Sequence, residues 1–534
     1  MLSGPQKLVR FHRGLPEFLA TPLSGERCGA ILEQSLRHRE ENLLRVLRMA
    51  VYENRRSPYL PLLHRAGAEL GDVAALVHRA GVEAALSRLA SEGVQVSLDE
   101  FKGRTPVRRT GIEYSTRPED FDNPLLAGEF EVTTGGTSGR RTRLTIDLDL
   151  LVFETAAHHL FLSAQGLMER PMAVWRAVPP GSAAIKHALR RAKLGRPLER
   201  WFTPNRPTWD SARWKSNVFL EMALWHGRRA GNVIPRPVYV PLNSPEPVAE
   251  WLAERKAAGT PPILSCPVSA AVRVADCCGR EGLDIAGAVM WVGGESLTPG
   301  REELIRATGA STVNGWSLSE TGTLGIGCAA RADRDEIHLL HSKVAVVTQP
   351  GSCTEDAGAG RLLLTTLLPS SPKLLLNVDS GDYGVMNSRR CGCAIEAAGF
   401  PYHLHTIRTF DKLTAGGMHF TASDALQLVE EVLPRRFGGT PAQYQLSAEE
   451  HGGQSRVAIV ISPALGPLDE DRVVSATLEF LGSRSPGHQM MSENWKAGGT
   501  LYVRREEPFV SAVGKVHPVR VQNGGQPERT GGTT

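Results

Sequence analysis

Between about Phe130 and Val378 the chain alternates short strand-like runs with stretches of helical periodicity, and no other feature restricts its fold so strongly. Ala173 to Val178, Val238 to Val240, Ile263 to Ser265, Val289 to Val292 and Thr312 to Asn314 are brief apolar or β-branched runs of the kind that form strands. Strands that alternate with helices stack into layers, so the pattern predicts an α/β fold class. Its main part is a large N-terminal domain of layered sheets and helices.

The flanks of this region follow other rhythms. Residues 1–110 read as a helical section leading into the large domain, with Leu43, Leu44, Leu47 and Val51 at helical spacing. Residues 111–410 form the core of the large domain. Residues 411–521 read as a small α+β C-terminal domain. Its elements are a helix from Asp424 to Leu433 stopped by Pro434, strands at Tyr444 to Ala448 and Arg456 to Ser462, a helix near Glu470 to Leu481, and Thr500 to Arg504. The tail 522–534 lacks apolar content and is expected to be disordered.

Composition excludes several classes of function. A net charge of +4 with no basic run interleaved with aromatics argues against nucleic acid as a partner. No apolar stretch approaches the roughly 20 residues that span a bilayer, so no membrane partner is expected. Eight scattered cysteines do not make a disulfide framework, which points to a reducing compartment and a cytoplasmic location. A homodimer is compatible with the sequence, which does not itself specify the oligomeric state.

The segment most suggestive of chemistry is TTGGTSGRRTRL, Thr133 to Leu144. Glu129 to Val132 before it and Leu144 to Ile146 after it read as strands, so the turn joins two strands and is not a phosphate loop opening a helix. As a plain turn it is a flexible hairpin. As a site, Gly135, Gly136 and Gly139 let successive backbone N–H groups converge on an anion, with Thr137, Ser138 and Thr142 adding donors and Arg140, Arg141 and Arg143 adding charge.

Further motifs follow it in a fixed order: Gly293-Gly294-Glu295, NGWSLSETG from Asn314 to Gly322, Asp379-Ser380-Gly381-Asp382, IRTFDK from Ile407 to Lys412, and Gly514-Lys515. With the glycine-rich turn and Ser57-Pro58-Tyr59, this series resembles the adenylate-forming superfamily, most nearly its phenylacetate-CoA ligase-like branch. The resemblance covers most of the chain. It implies that Thr134, Gly135, Gly136, Thr137, Ser138 and Gly139 close over the phosphates of ATP, and that Gly294 and Glu295 belong to the nucleotide site. It further implies that Trp316 stacks on adenine, Ser319 contacts the α-phosphate, Glu320 binds Mg²⁺, and Asp382 accepts from the ribose hydroxyls. Arg408 matches the family's hinge-side arginine and Asp411 its hinge. Arg141, Ser317 and Ile407 depart from the family's usual proline, glycine and glycine.

Lys515 carries the mechanism that the resemblance implies. The family keeps a lysine near the end of a small mobile C-terminal domain, where it swings into the site and draws the attacking carboxylate and the α-phosphate together. The products are an acyl adenylate and pyrophosphate. The acyl group then passes to coenzyme A, with a carrier-protein thiol or an amine as alternatives, including amide- or N–N-bond-forming synthetases. A non-enzymatic relative would be expected to lose Glu320, Asp382 or Lys515, and all three are present.

The branch suggests an aryl or arylacetic acid, with His158, His159, Phe161, Pro267 and Trp291 as candidate pocket residues. The run Arg190-Arg191-Ala192-Lys193 could meet CoA phosphates, but a solvated helix face is the plainer reading. Some proteins of the branch hold a metal at positions matching Cys328, His338, Cys391 and Cys393, which implies a closed structural Zn²⁺ site. Spacing alone favours four unrelated residues, since Cys-x-Cys is tighter than usual. Cys277-Cys278 reads as core packing.

Overall fold

The computed structural model describes residues 4–126, 129–133, 143–179, 181–206, 214–318, 320–350, 358–409, 412–415, 418–483, 486–509 and 519–521. Twelve strands form one large mixed sheet. Six of them are all parallel, in spatial order Ser311–Leu318, Val289–Val292, Ile263–Cys266, Met172–Trp175, Arg200–Thr203 and Pro237–Tyr239. The edge strand begins with a proline, which costs least where no further strand needs its missing N–H.

Strand Ser311–Leu318 is where the sheet changes character. Its first half pairs parallel with Val289–Val292, Ser311 opposite Val289 through Asn314 opposite Val292. Its second half, from Gly315, pairs antiparallel with Gly322–Gly327, with a bulge between Trp316 and Ser317. Beyond it lie Ile337–Leu339, Tyr402–Thr409, Val378–Ser388, Gly360–Thr366 and Val344–Pro350, all antiparallel. The run Thr312 to Asn314 read from sequence is thus the start of a strand of eight residues.

Alternation along the parallel strands assigns their faces, because successive side chains point to opposite sides. Met172, Val174, Ile263, Val289 and Trp291 join one core cluster, with helices Gly4–Ala20, Leu148–Ala164 and Ala183–Lys193. Ala173, Trp175, Leu264, Met290 and Val292 join another, with helices Glu246–Ala257 and Val268–Glu281. Helices cover both faces, as a parallel sheet requires. Cys277 and Cys278 are buried in the second cluster.

The N-terminal section contributes helices that include Gly25–Arg37, Leu70–Ala80 and Val82–Ser91. Gly4–Ala20 is also helical and buries Phe11, Leu15, Phe18 and Leu19 in the first cluster. The strands around the glycine-rich turn pair as a hairpin, Glu129 opposite Asp147 through Thr133 opposite Arg143. Residues 134–142 themselves, with Thr134 to Gly139 among them, lie outside the described residues, as do Ser319, Asp411, Lys515 and the tail 522–534.

The small C-terminal unit has its own sheet, in order Leu501–Arg505, Gln454–Ile461, Tyr444–His451 and Val519–Val521, and its own core around Ile459, Val473, Leu481, Met491 and Trp495. One sequence expectation fails here. The helix expected to stop at Pro434 instead runs Ala422–Gln427, widens into a π turn at Leu428–Val432, and resumes as Leu433–Phe437. Pro434 falls in the first turn of the resumed helix, where an absent N–H costs nothing, and Gly438 at φ 83° ends it. The unit docks on the large domain through Arg301, whose Nε donates to Gly453 O at 3.0 Å and lies 3.3 Å from the Glu450 carboxylate.

Candidate active site

The carboxyl ends of the parallel strands are where an open α/β sheet places its ligands, and here they are crowded with polar side chains. Trp316 is buried on the strand that changes pairing mode, and its indole N–H donates to Asp382 Oδ2 at 3.1 Å. Asp382 stands in strand Val378–Ser388 just after Gly381, whose φ of 73° bends the backbone so that Asp382 N donates to Ser380 Oγ at 3.1 Å. Thr409 is opposite Asp382 and Arg408 opposite Tyr383 in the neighbouring strand. Arg408 Nη1 donates to Asp335 Oδ2 at 2.9 Å, and the same carboxylate accepts from the N–H groups of Thr406 and Ile407. Asp335 is buried and went unnoticed in the sequence because it belongs to no motif.

Glu320 lies in the tight connection between Ser311–Leu318 and Gly322–Gly327 and forms an ion pair with Lys102. Lys102 is a contact that sequence reasoning missed. Gly322 explains its own place in the motif: its φ is 80°, and a Cβ there would sit 2.0 Å from Glu154 Oε1. The Gly293-Gly294 pair has a similar cause. A Cβ on Gly293 would meet the Gly315 carbonyl oxygen at 2.6 Å, and Gly294 has φ 85°. Glu295 accepts from Ser269 N at 2.6 Å and Ser269 Oγ at 3.1 Å, covering otherwise open donors at the start of helix Val268–Glu281.

Behind the Glu320 connection sits a buried charge cluster that no motif announces. Glu154, on helix Leu148–Ala164, accepts from Lys343 Nζ at 2.8 Å and from Thr323 N at 2.9 Å; both charged side chains are 1% exposed. Arg190 Nη1 lies 3.6 Å from Glu154 Oε2 and donates to Thr323 Oγ1 at 2.9 Å. Burial pushes the Glu154 carboxyl up, but the charges of Lys343, Arg190 and Lys186 outweigh it and hold the group well below the usual carboxylate range. The expectation of a solvated basic helix face is therefore wrong. Arg190, Arg191 and Lys193 are buried, because helix Ala183–Lys193 packs beneath the sheet against Leu148–Ala164 and offers little of its circumference to solvent.

The proposed acid-pocket residues divide. Trp291 faces the same side of the sheet as helix Ala183–Lys193, and its ring centroid lies 5.0 Å from His158, 4.3 Å from Phe161 and 4.9 Å from His187. His159 instead faces Gly25, where a Cβ would meet its Nε2 at 3.0 Å, and Pro267 precedes helix Val268–Glu281. His187, missed in the sequence reading, joins the aromatic group in place of His159.

The four candidate metal ligands converge. One donor atom from each of Cys328, His338, Cys391 and Cys393 lies within 4.8 Å of every other, with His338 Nε2 at 3.6 Å from Cys391 Sγ and 3.2 Å from Cys393 Sγ. His338 pairs with His403 across two antiparallel strands, and its Nδ1 donates to Phe400 O at 2.7 Å, which leaves Nε2 as the free acceptor that a metal needs. Burial, with His403 adding to it, lowers His338 to about 4 and keeps the imidazole neutral. The tight Cys-x-Cys spacing is accommodated by Gly392 at φ 72°, and Glu396 accepts from both the Cys391 and Gly392 N–H groups at 2.7 Å. A second grouping, Cys328, Glu336 and His403, is a poorer set because Glu336 already pairs with Arg389 at 2.7 Å.

Three thiols and one neutral imidazole in this arrangement fit a closed tetrahedral Zn²⁺ site. Purified protein is expected to contain about one zinc per chain by metal analysis, and Cys393→Ser is expected to lower both zinc content and Tm. Zinc-free protein from a zinc-replete preparation would dismiss the site.

No protein-family model matches the sequence, and no curated protein does. Among solved structures the chain is similar to 2-hydroxyisobutyryl-CoA ligase in complex with 2-HIB-AMP and CoA in the thioesterification state, at 16% identity and TM-score 0.48, over 94% of this chain and 91% of that one. It is similar to McyG A-PCP complexed with phenylalanyl-adenylate at 12% identity and TM-score 0.32, over 82% and 73%. A third, an acyl-CoA synthetase (AMP-forming)/AMP-acid ligase II-like protein from Dyadobacter fermentans, is similar at 11% identity and TM-score 0.27, over 73% and 87%.

Proposed function

We propose that this protein is an adenylate-forming ligase, of the phenylacetate-CoA ligase-like branch, that activates an aryl or arylacetic acid with ATP and transfers the acyl group to coenzyme A. The observation that carries the reading is the Trp316–Asp382 hydrogen bond. It brings the NGWSLSETG and DSGD motifs to one place at the carboxyl edge of the sheet, where the resemblance assigns adenine and ribose.

In this reading a carboxylate oxygen of the acid attacks the α-phosphorus of ATP, the bond from that phosphorus to the bridging oxygen breaks, and pyrophosphate leaves. A thiolate of CoA then attacks the acyl carbonyl and AMP departs. Asp382, acceptor-only when ionised, receives the ribose hydroxyls. Thr134, Gly135, Gly136, Thr137, Ser138 and Gly139 surround the phosphates, with Gly294 and Glu295 close by. Ser319 contacts the α-phosphate. Glu320 would hold Mg²⁺, which supplies charge neutralisation at the phosphates when bound. Its carboxylate suits that ion, and the Lys102 pair holds its orientation until nucleotide arrives. Arg408, fixed by Asp335, stands at the junction to the small domain, and Lys515 meets the developing charge.

The departures Arg141, Ser317 and Ile407 keep open a second reading in which the acceptor is an amine, a nitrogen nucleophile or a carrier-protein thiol. One experiment separates the two. Pyrophosphate release is expected with at least one member of an aryl and arylacetic acid panel, and CoA is expected to consume the adenylate. Consumption by amines or nitrite in its place would select the second reading, and an absence of release with every acid would sink both.

A further inference from the structure

Strand Tyr402–Thr409 does not run straight through its pairing with Val378–Ser388. His405 is opposite Val385 and Arg408 opposite Tyr383, so Thr406 and Ile407 together face the single residue Gly384. This two-against-one bulge has an unusual occupant. Thr406 takes φ 55°, and among the described residues Asn377 is the other non-glycine residue with positive φ. Asparagine tolerates that region, whereas a β-branched side chain is crowded in it. The turn at Thr406 therefore costs free energy, and the surrounding structure must hold it.

Asp335 supplies the hold. It is 3% exposed, and donors from three consecutive residues meet its carboxylate. Thr406 N donates to Oδ1 at 3.0 Å, Ile407 N to Oδ2 at 3.1 Å and Arg408 Nη1 to Oδ2 at 2.9 Å. Successive N–H groups of a straight strand point to opposite sides, so one carboxylate takes both only because the left-handed residue turns them together. Asp335 is itself anchored, since its carbonyl oxygen accepts from Asn314 Nδ2 at 3.1 Å, on the strand that carries Trp316.

The bulge decides where Arg408 stands. Continued without it from the His405–Val385 pair, the ladder would put Ile407 opposite Tyr383 and Arg408 opposite Asp382. A slip of one residue exchanges the two faces of a strand. Arg408 makes its contacts through Nη1, to Asp335 and to Ile407 O at 2.9 Å. Among the described residues its Nε and Nη2 make no hydrogen bond, and the side chain is 22% exposed. One edge of the guanidinium is fixed and the other is left for an anion.

We infer that Asp335 is a positioning residue for nucleotide binding: it holds Thr406 in the left-handed turn, sets the register at Arg408 and aims the open edge of that guanidinium at ATP. This rests on the adenylating function proposed above, which gives the neighbouring Asp382 the ribose.

The test is a double-variant cycle on the full chain, read by calorimetric binding of ATP with Mg²⁺, with Tm measured alongside. Asp335→Asn keeps the side chain's volume but removes its charge and sets an amide N–H among three donors. It is expected to weaken ATP binding about tenfold, the scale of one charge-assisted contact. In an Arg408→Met background the same substitution is expected to cost ATP binding nothing further while still lowering Tm, because Asp335 reaches the nucleotide only through Arg408. Thr406→Gly added to Asp335→Asn is expected to restore part of the lost affinity, since glycine keeps the turn without a clamp. Should Asp335→Asn alone not fold, Thr406→Gly with and without it is compared, and a smaller loss that vanishes with Arg408→Met is expected.

Wild-type ATP affinity in folded Asp335→Asn, with only Tm lowered, would overturn the inference, since a merely structural carboxylate predicts that result. Equal losses with and without Arg408→Met would overturn it too, as would Thr406→Gly restoring no affinity. The expected pattern without pyrophosphate release for any acid would defeat the adenylating function and leave the inference standing. No ATP binding by the wild type would defeat both.

Discussion

Lys515→Ala is expected to slow acyl-adenylate formation by about 10² to 10³, the scale for removing one well-placed electrostatic stabiliser. The proposed reaction brings a carboxylate onto a triphosphate, so two anions must approach before the new bond forms. A compact ammonium on a long stem can touch both at once, which a guanidinium fork or a shorter chain does less well. ATP affinity should change little, because the proposed function gives the nucleotide to groups of the large domain such as Asp382. Single-turnover formation of the adenylate, measured by rapid quench with saturating acid and ATP, reads the step directly. A rate equal to wild type would remove Lys515 from the mechanism.

Glu154→Ala is expected to destabilise the large domain by about 3–5 kcal/mol, the cost of leaving one member of a buried ion pair alone. The carboxylate accepts from Lys343 Nζ and from Thr323 N, and Lys343 Nζ also donates to Thr323 O at 2.8 Å. Removing Glu154 strands Lys343 and deprives Arg190 of its counter-charge as well. Replacing both partners, as Glu154→Met with Lys343→Met, removes the stranded charge along with the pair and is expected to recover part of the loss. Urea unfolding followed by circular dichroism of the single and double variants closes the cycle. A wild-type midpoint for Glu154→Ala would show that the cluster does not organise the fold.

The large and small domains were legible in the sequence for a local reason. Strand runs such as Val289–Val292 declare themselves by composition, and the hairpin Glu129–Thr133 with Arg143–Asp147 by the glycine-rich turn between its arms. Errors arose where the outcome depended on a neighbour. Pro434 ends a regular helix but not one that has just widened into a π turn. The candidate site divides in the same way. Trp316, Asp382 and Glu320 could be picked out because each sits in a short motif. Lys102, Asp335 and His187 could not, since each matters through a partner far away in the chain.

The candidate metal ligands show both sides of this division. Cys391 and Cys393 are visible as a pair, but their use depends on Gly392 turning the backbone and on His338 arriving from another strand. The sequence by itself determined the alternating α/β layers, the small terminal domain and the motif residues, because periodicity and turn chemistry act over a few residues. Only the tertiary structure decided that AAIKHALRRAK is an interior helix whose Lys186 and Arg190 act on Glu154, 36 or fewer positions away in sequence but on a different helix, together with Lys343 from much further along the chain. Whether a charge is solvated or buried is a property of what packs over it, and no local run of residues records that.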